Sequence, residues 1–242
     1  MLAGMGFAAL ATSSAASAAA IGKRDGELTR EQALVHARTI VDATELLVSA
    51  DLENGFGDAP AAVAETVRLA GEAGLVGCTI EDTKGEGRTG DKAKPLYDFE
   101  LAVERVAAGA EAARALGFPF LLTARTHNLL FAGGQLEETV RRLQAFEKAG
   151  ADVLFAPLLP DLAAVRAVCS AVSKPVNFMV GVPGKSFSVA ELTAAGVKRI
   201  SLATSLFRAA MTGLYEAARE VKEQGTFGYL DRLIDVNKFM QR

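Results

Sequence analysis

Four segments of this chain end a helical stretch in the same way: Ala73-Gly74-Leu75, Leu116-Gly117-Phe118, Ala149-Gly150-Ala151 and Ala195-Gly196-Val197 each put a glycine between a helix and an apolar run. Glycine accepts the left-handed backbone that stops an α-helix, so each segment reads as a helix exit followed at once by a strand. Strand-like apolar runs lie at 7–12, 46–52, 76–80, 120–126, 153–158, 176–180 and 200–203. They show no alternation, as expected of strands buried on both faces of a parallel sheet. Helix starts stand between them. Thr29-x-x-Gln32 and Ser188-x-x-Glu191 fit capping boxes, Asp58 precedes Pro60 at a first turn, and Asp161 can cap the stretch reaching Val172. This βαβα order, with no linker composition in 242 residues, predicts one α/β domain: a (β/α)8 TIM barrel with one strand missing, since seven runs are present rather than eight. A doubly wound sheet would have the same order, but polar residues gather after nearly every run, as a barrel's ring of loops requires. Residues 225–242 read as a C-terminal helical extension. There Leu230, Leu233, Ile234 and Val236 form an apolar stripe that covers the barrel bottom or docks on a neighbouring subunit.

A formal net charge of −3 without any Lys/Arg run leaves no electrostatic footprint for nucleic acid or an anionic membrane. Cys78 and Cys169, the two cysteines, fall in an apolar run and a helical stretch and read as core thiols of a reducing cytoplasm. Residues 1–20 lack the basic start of a signal peptide, and no run approaches the ~20 apolar residues needed to span a bilayer. The expectation is a soluble cytoplasmic protein.

Two apolar runs end in acids: Asp51-Leu52-Glu53-Asn54-Gly55-Phe56-Gly57 and Ile80-Glu81-Asp82. Asp51 and Glu53, two apart, leave the same face of an extended chain about 6–7 Å apart, so their oxygens can share one hard cation. In a barrel the strand carboxyl ends share one face, which would bring Asp51, Glu53, Glu81 and Arg125 together with the Thr12-Ser13-Ser14 turn. Three carboxylates without a His/Cys cluster select Mg²⁺ or Mn²⁺ over zinc. Arg125 suits a bidentate grip on a substrate carboxylate, or an ion pair with Glu81. His127 reads either as an acid/base or as a rim residue bonded to the loop. Asn177 reads as a substrate contact or as a partner for buried backbone.

These residues resemble the isocitrate lyase / phosphoenolpyruvate mutase superfamily over nearly the whole chain. The block from Asp51 to Gly57 is the strongest match. It is supported by Ala11-Thr12-Ser13-Ser14 with Gly22-Lys23-Arg24-Asp25, by Gly77 to Asp82, Ala124-Arg125-Thr126, Ala149-Gly150-Ala151-Asp152 and Lys174-Pro175-Val176-Asn177. The resemblance implies a Mg²⁺-dependent barrel that stabilises a pyruvate-type enolate. Asp51 would ligate the metal directly, and Glu53 and Glu81 would hold its waters. Thr12, Ser13, Ser14 and Arg125 would bind the substrate carboxylate, and Asp25 would lie beside the reacting centre. It also implies homodimers or homotetramers, a lid at the charged, glycine-rich segment 83–95 with Lys84, Arg88 and Lys92, and a missing strand and helix ahead of Met1.

The segment holds neither the cysteine and histidine of the lyases' Lys-[Lys/Arg]-Cys-Gly-His motif nor the asparagine of the phosphonomutases. Pro157 stands where the lyases have glutamate and the mutases histidine. The first functional reading is a lyase or decarboxylase that breaks a C–C bond in a small 2-oxo or 2-hydroxy di- or tricarboxylate. The alternatives are a phosphonomutase acting at a P–C bond and a barrel that binds a 2-oxo acid without turning it over.

Overall fold

The computed structural model describes residues 1–84, 96–131 and 134–239. Seven strands form its frame: β1 (Ala9–Ala11), β2 (Leu47–Asp51), β3 (Gly77–Glu81), β4 (Leu121–Arg125), β5 (Val153–Phe155), β6 (Val176–Met179) and β7 (Arg199–Ser201). They pair in parallel and in chain order. Nine helices connect or follow them among the described residues: α1 (Ser14–Ala20), α2 (Arg30–Asp42), α3 (Pro60–Glu72), α4 (Phe99–Arg114), α5 (Asn128–Phe131), α6 (Leu136–Lys148), α7 (Leu162–Ala171), α8 (Val189–Ala194) and α9 (Ser205–Gln224).

One contact decides between a barrel and an open sheet. Arg199 on β7 donates to Ser49 Oγ on β2 at 3.0 Å and approaches Thr123 Oγ1 on β4 at 3.4 Å. In a flat sheet β2 and β7 would lie five strand spacings apart, about 24 Å, beyond any side chain's reach. The sheet is therefore curled into a nearly closed (β/α) barrel of seven units, with Arg199 crossing its interior.

The strands alternate after all, in a way their apolar content hides. Val48, Ala50, Leu52, Cys78, Ile80, Leu122, Ala124, Leu154, Val176 and Phe178 are buried beneath the helices. The intervening positions carry Ser49, Asp51, Thr79, Glu81, Thr123, Arg125, Asn177, Arg199 and Ser201, brought onto one face by the strand register. Alanine and cysteine at helix-facing positions and threonine at barrel-facing ones blur the period in the sequence. The helices pack closely on the apolar side. At Gly109 a Cβ would stand 3.0 Å from Val63 Cγ1 and 3.3 Å from Leu122 Cδ2, so glycine lets α4 settle between α3 and β4.

Both capping boxes form, and Asp161 accepts from the Ala164 amide at the start of α7. The glycine exits hold, with Gly74, Gly117, Gly150 and Gly196 all at positive φ. Pro60 opens α3 two residues after Asp58, as expected. Ala59 is the N-cap of α3, and the Asp58 carboxylate is turned away to the Tyr97 hydroxyl. The expected helix beyond 225 is two 3-10 turns, Gly228–Arg232 and Val236–Phe239, with Leu230, Leu233, Ile234 and Val236 exposed. Cys78 is buried and burial pushes its thiol pKa up, whereas Cys169 is half-buried. Among the described residues no helix is long and apolar enough to cross a membrane.

Candidate functional site at the strand carboxyl ends

The β1 exit meets the β2 exit through hydroxyls. The Asp51 amide donates to Thr12 Oγ1 at 3.1 Å. Ser14 presents its hydroxyl to Asp25 Oδ1 at 2.8 Å and to Asp51 Oδ2 at 3.2 Å, and its amide lies 3.4 Å from the latter atom. A serine hydroxyl has one proton, so the two carboxylates converge on fewer donors than they can use. Ser13 is the N-cap of α1 but makes no side-chain capping bond.

Two residues past β2 the chain turns sharply. Glu53 and Phe56 take the left-handed conformation, at φ 56° and 58°, with Gly55 at 81° between them. For a non-glycine residue that geometry costs about 1–3 kcal/mol, and neighbouring groups hold it. The Glu53 amide donates to Asp51 Oδ1 at 3.2 Å, and the Glu53 carbonyl accepts from the Glu81 amide at 2.8 Å. Glu53 is thereby buried between the two acid-bearing strand ends.

Glu81 and Arg125 are register partners on β3 and β4. Arg125 Nη1 lies 3.6 Å from Glu81 Oε2 and 3.8 Å from Asp51 Oδ2, with its guanidinium carbon 5.0 Å from the centre of the Phe155 ring. Its Nε has no hydrogen-bond partner among the described residues. His127 is buried, with Nε2 3.4 Å from Glu81 Oε2. Burial is the main influence on Glu81, raising its pKa to about 7 against the opposing pull of Arg125, while the Asp51 charge adds to the rise. Thr83 donates its hydroxyl to Glu81 Oε1. Asn177 is buried on β6, where its amide nitrogen donates to Ser201 Oγ at 3.0 Å and its Oδ1 has no partner among the described residues.

Asp25, Asp51, Glu81, Arg125 and His127 thus form one linked chain, with Thr12, Ser14 and Glu53 bonded into it. Lys84 is half-buried at its margin. Arg88 and Lys92, expected in a lid, lie outside the described residues. Among the described residues no three Asp, Glu, His or Cys side chains stand close enough to enclose an ion by themselves. An ion here would complete its shell with water and substrate oxygens, which is the habit of Mg²⁺. The all-oxygen donor set, with several carboxylates facing one guanidinium, fits that ion.

Four supporting residues are given no individual role by the sequence. Asp82 points away from the barrel, accepting from the His127 amide at 2.9 Å and from Arg142 Nη1 at 3.1 Å. Burial raises its pKa against those bonds. Tyr97 and Arg105 grip the 54–58 turn. The acid run Glu81-Asp82 was the one available signal for Asp82. The other three look like ordinary residues of helices or helix starts.

A nearly closed parallel barrel with a carboxylate-rich site at its strand carboxyl ends defines a class of (β/α)-barrel enzyme in which loops supply the chemistry. The family described as phosphoenolpyruvate phosphomutase matches residues 1–222, and the chain belongs to it. The 2-methylisocitrate lyase of Escherichia coli K12 is 31% identical over 204 residues, 83% of this chain and 68% of that protein. The oxaloacetate decarboxylase of Paraburkholderia xenovorans LB400 is 34% identical over 196 residues, covering 81% and 63% of the two chains. A solved structure from Burkholderia cenocepacia J2315, described only broadly as a lyase/mutase, superposes with a TM-score of 0.92 at 47% identity, covering 98% of this chain and 84% of that one. The family therefore holds both lyases and mutases.

Proposed function

We propose that this protein is a Mg²⁺-dependent lyase or decarboxylase that breaks a C–C bond next to a carboxylate in a small 2-oxo or 2-hydroxy di- or tricarboxylate. The observation that carries this reading is the cluster of acids at the strand ends, where Asp51 and Glu81 both approach the guanidinium of Arg125 and Asp25 shares the Ser14 hydroxyl with Asp51. A divalent cation, when bound, supplies Lewis-acid stabilisation of the oxygen charge that develops in an enolate. Asp51 would hold the ion directly, and Glu53 and Glu81 would hold it through water.

Arg125 binds the substrate carboxylate, steadied by the Phe155 ring and by the acids on either side. Thr12, Ser13 and Ser14 contribute hydroxyls from the opposite wall, and Asn177 offers its Oδ1 from β6. His127 Nε2 is the acid/base, taking or giving a proton in exchange with Glu81 Oε2. Mn²⁺ would serve the same donor set. The exposed stripe in the C-terminal tail supports assembly into a homodimer or homotetramer.

Calorimetric titration with oxalate, a planar mimic of the pyruvate enolate, tests the reading. Binding that requires Mg²⁺ is expected, followed by turnover of oxaloacetate or a methylisocitrate-like acid. Equal binding with and without the ion would overturn it. The family match itself favours one second reading, a phosphonomutase, which ³¹P NMR detection of a phosphonate product would establish.

A pH dependence follows from Glu81. Its pKa in the folded chain is raised from an ordinary value near 4.5 to about 7, so between those values the folded state holds a proton that the unfolded state has released. Stability of the metal-free protein should therefore fall as pH rises from about 4.5 to about 7, with no further contribution above. Melting curves at pH 5 and pH 7.5 should show the loss in wild type and less of it in Glu81→Gln. An equal slope in both proteins would contradict the assignment.

A further inference from the structure

Two acid-bearing strand ends must keep a fixed spacing if they are to serve one ion, yet one of them, Asp51–Asp58, is a strained turn. Three of its residues lie at positive φ, two of them not glycine. Such a turn persists only where its surroundings over-determine it.

The surroundings are Tyr97 and Arg105, both 1% exposed. Arg105, reaching from α4, donates to the carbonyls of Asn54, Gly57 and Asp58, the Gly57 bond being 2.6 Å. Its guanidinium carbon stacks 4.0 Å from the centre of the Tyr97 ring. The Tyr97 hydroxyl accepts from Asn54 Nδ2 at 3.0 Å and donates to Asp58 Oδ1 at 2.5 Å. Asn54 Oδ1 in turn accepts from the Phe56 amide at 3.0 Å. One phenol oxygen thus closes the turn from both ends.

Tyr97 is also fastened to the other strand end. Its amide donates to the Asp82 carbonyl at 2.9 Å, and its own carbonyl accepts from Arg142, which also holds the Asp82 carboxylate. The side chain grips the loop of Glu53 while the backbone grips the loop of Glu81 and Asp82.

We propose that Tyr97, backed by Arg105, is a positioning residue that holds Glu53 in its left-handed conformation and sets the distance between the Glu53 and Glu81 loops. The assignment rests on the reading of these acids as parts of one ion site. Tyr97→Phe is the appropriate variant, because it removes the two hydroxyl bonds and keeps the ring beneath Arg105. Removing Arg105 instead would leave three carbonyls without a donor.

Asp161→Ala, which deletes the α7 cap far from the site in sequence, is the control for a merely structural loss. Two readouts apply: hydrogen exchange of the amides at 53–58, and Mn²⁺ affinity by electron paramagnetic resonance. Tyr97→Phe should speed exchange by about 10-fold and weaken Mn²⁺ binding by about 10-fold, while Asp161→Ala lowers the melting temperature and changes neither. Tyr97→Phe behaving like the control would overturn the proposal. Wild-type protein that takes up no Mn²⁺ would remove the proposed ion site, and exchange alone would then decide whether Tyr97 holds Glu53.

Discussion

Replacing Asp51 by alanine should abolish Mg²⁺-dependent oxalate binding and lower kcat/KM by about 10³-fold, equivalent to about 4 kcal/mol of transition-state stabilisation. The effect is large because Asp51 joins three parts of the site. Its Oδ2 faces Ser14 and Arg125, and its Oδ1 receives the amide of Glu53. The mutation removes the central anion, releases the turn that carries Glu53 and leaves Arg125 with Glu81 alone. Folding should survive, since the Asp51 side chain faces the barrel and the core beneath β2 is built from Val48, Ala50 and Leu52. The check is a paired measurement of melting temperature and oxalate titration with Mg²⁺. Wild-type affinity in a folded Asp51→Ala protein would refute the ion site.

Arg142→Met is expected to have the largest effect on stability. It strands a buried carboxylate, because among the described residues Asp82 loses its one close guanidinium and keeps the His127 amide and the Thr126 hydroxyl. Breaking such a pair from one side costs about 3–5 kcal/mol, which in a chain of this length lowers the melting temperature by about 10 °C. Asp82 should then take up a proton more readily, so the loss is greatest at pH 8 and shrinks toward pH 5. The double variant Asp82→Asn/Arg142→Met should recover much of the stability, because no charge remains without a partner. A loss in the double variant equal to the sum of the single ones would show that the two residues do not act as a pair.

The frame of this protein could be read from sequence because its signals are local. The seven apolar runs, the capping boxes at Thr29 and Ser188, and the glycine exits each need only a few neighbouring residues. The acids at the ends of β2 and β3 and Arg125 at the end of β4 could be placed together once a barrel was assumed, since that fold puts all strand ends on one rim. The supports could not. Arg105 meets Gly57 across 48 residues and Arg142 meets Asp82 across 60, and each sits in a helix whose pattern marks it as an ordinary charged position. For Asp58 the place before Pro60 at the start of α3 is a local signal, but the bond of its carboxylate to the Tyr97 hydroxyl, 39 residues on, is not.

The alternation within the strands has a further consequence. Helix-facing side chains such as Val48, Ile80 and Leu122 bind the fold together, while their immediate neighbours Ser49, Glu81 and Thr123 look into the barrel. Durability and chemistry are therefore inherited on adjacent residues but under separate constraints. Substitutions on one set can redirect the reaction while the other continues to hold the scaffold, which gives a physical reason why one lineage can contain both lyases and phosphomutases.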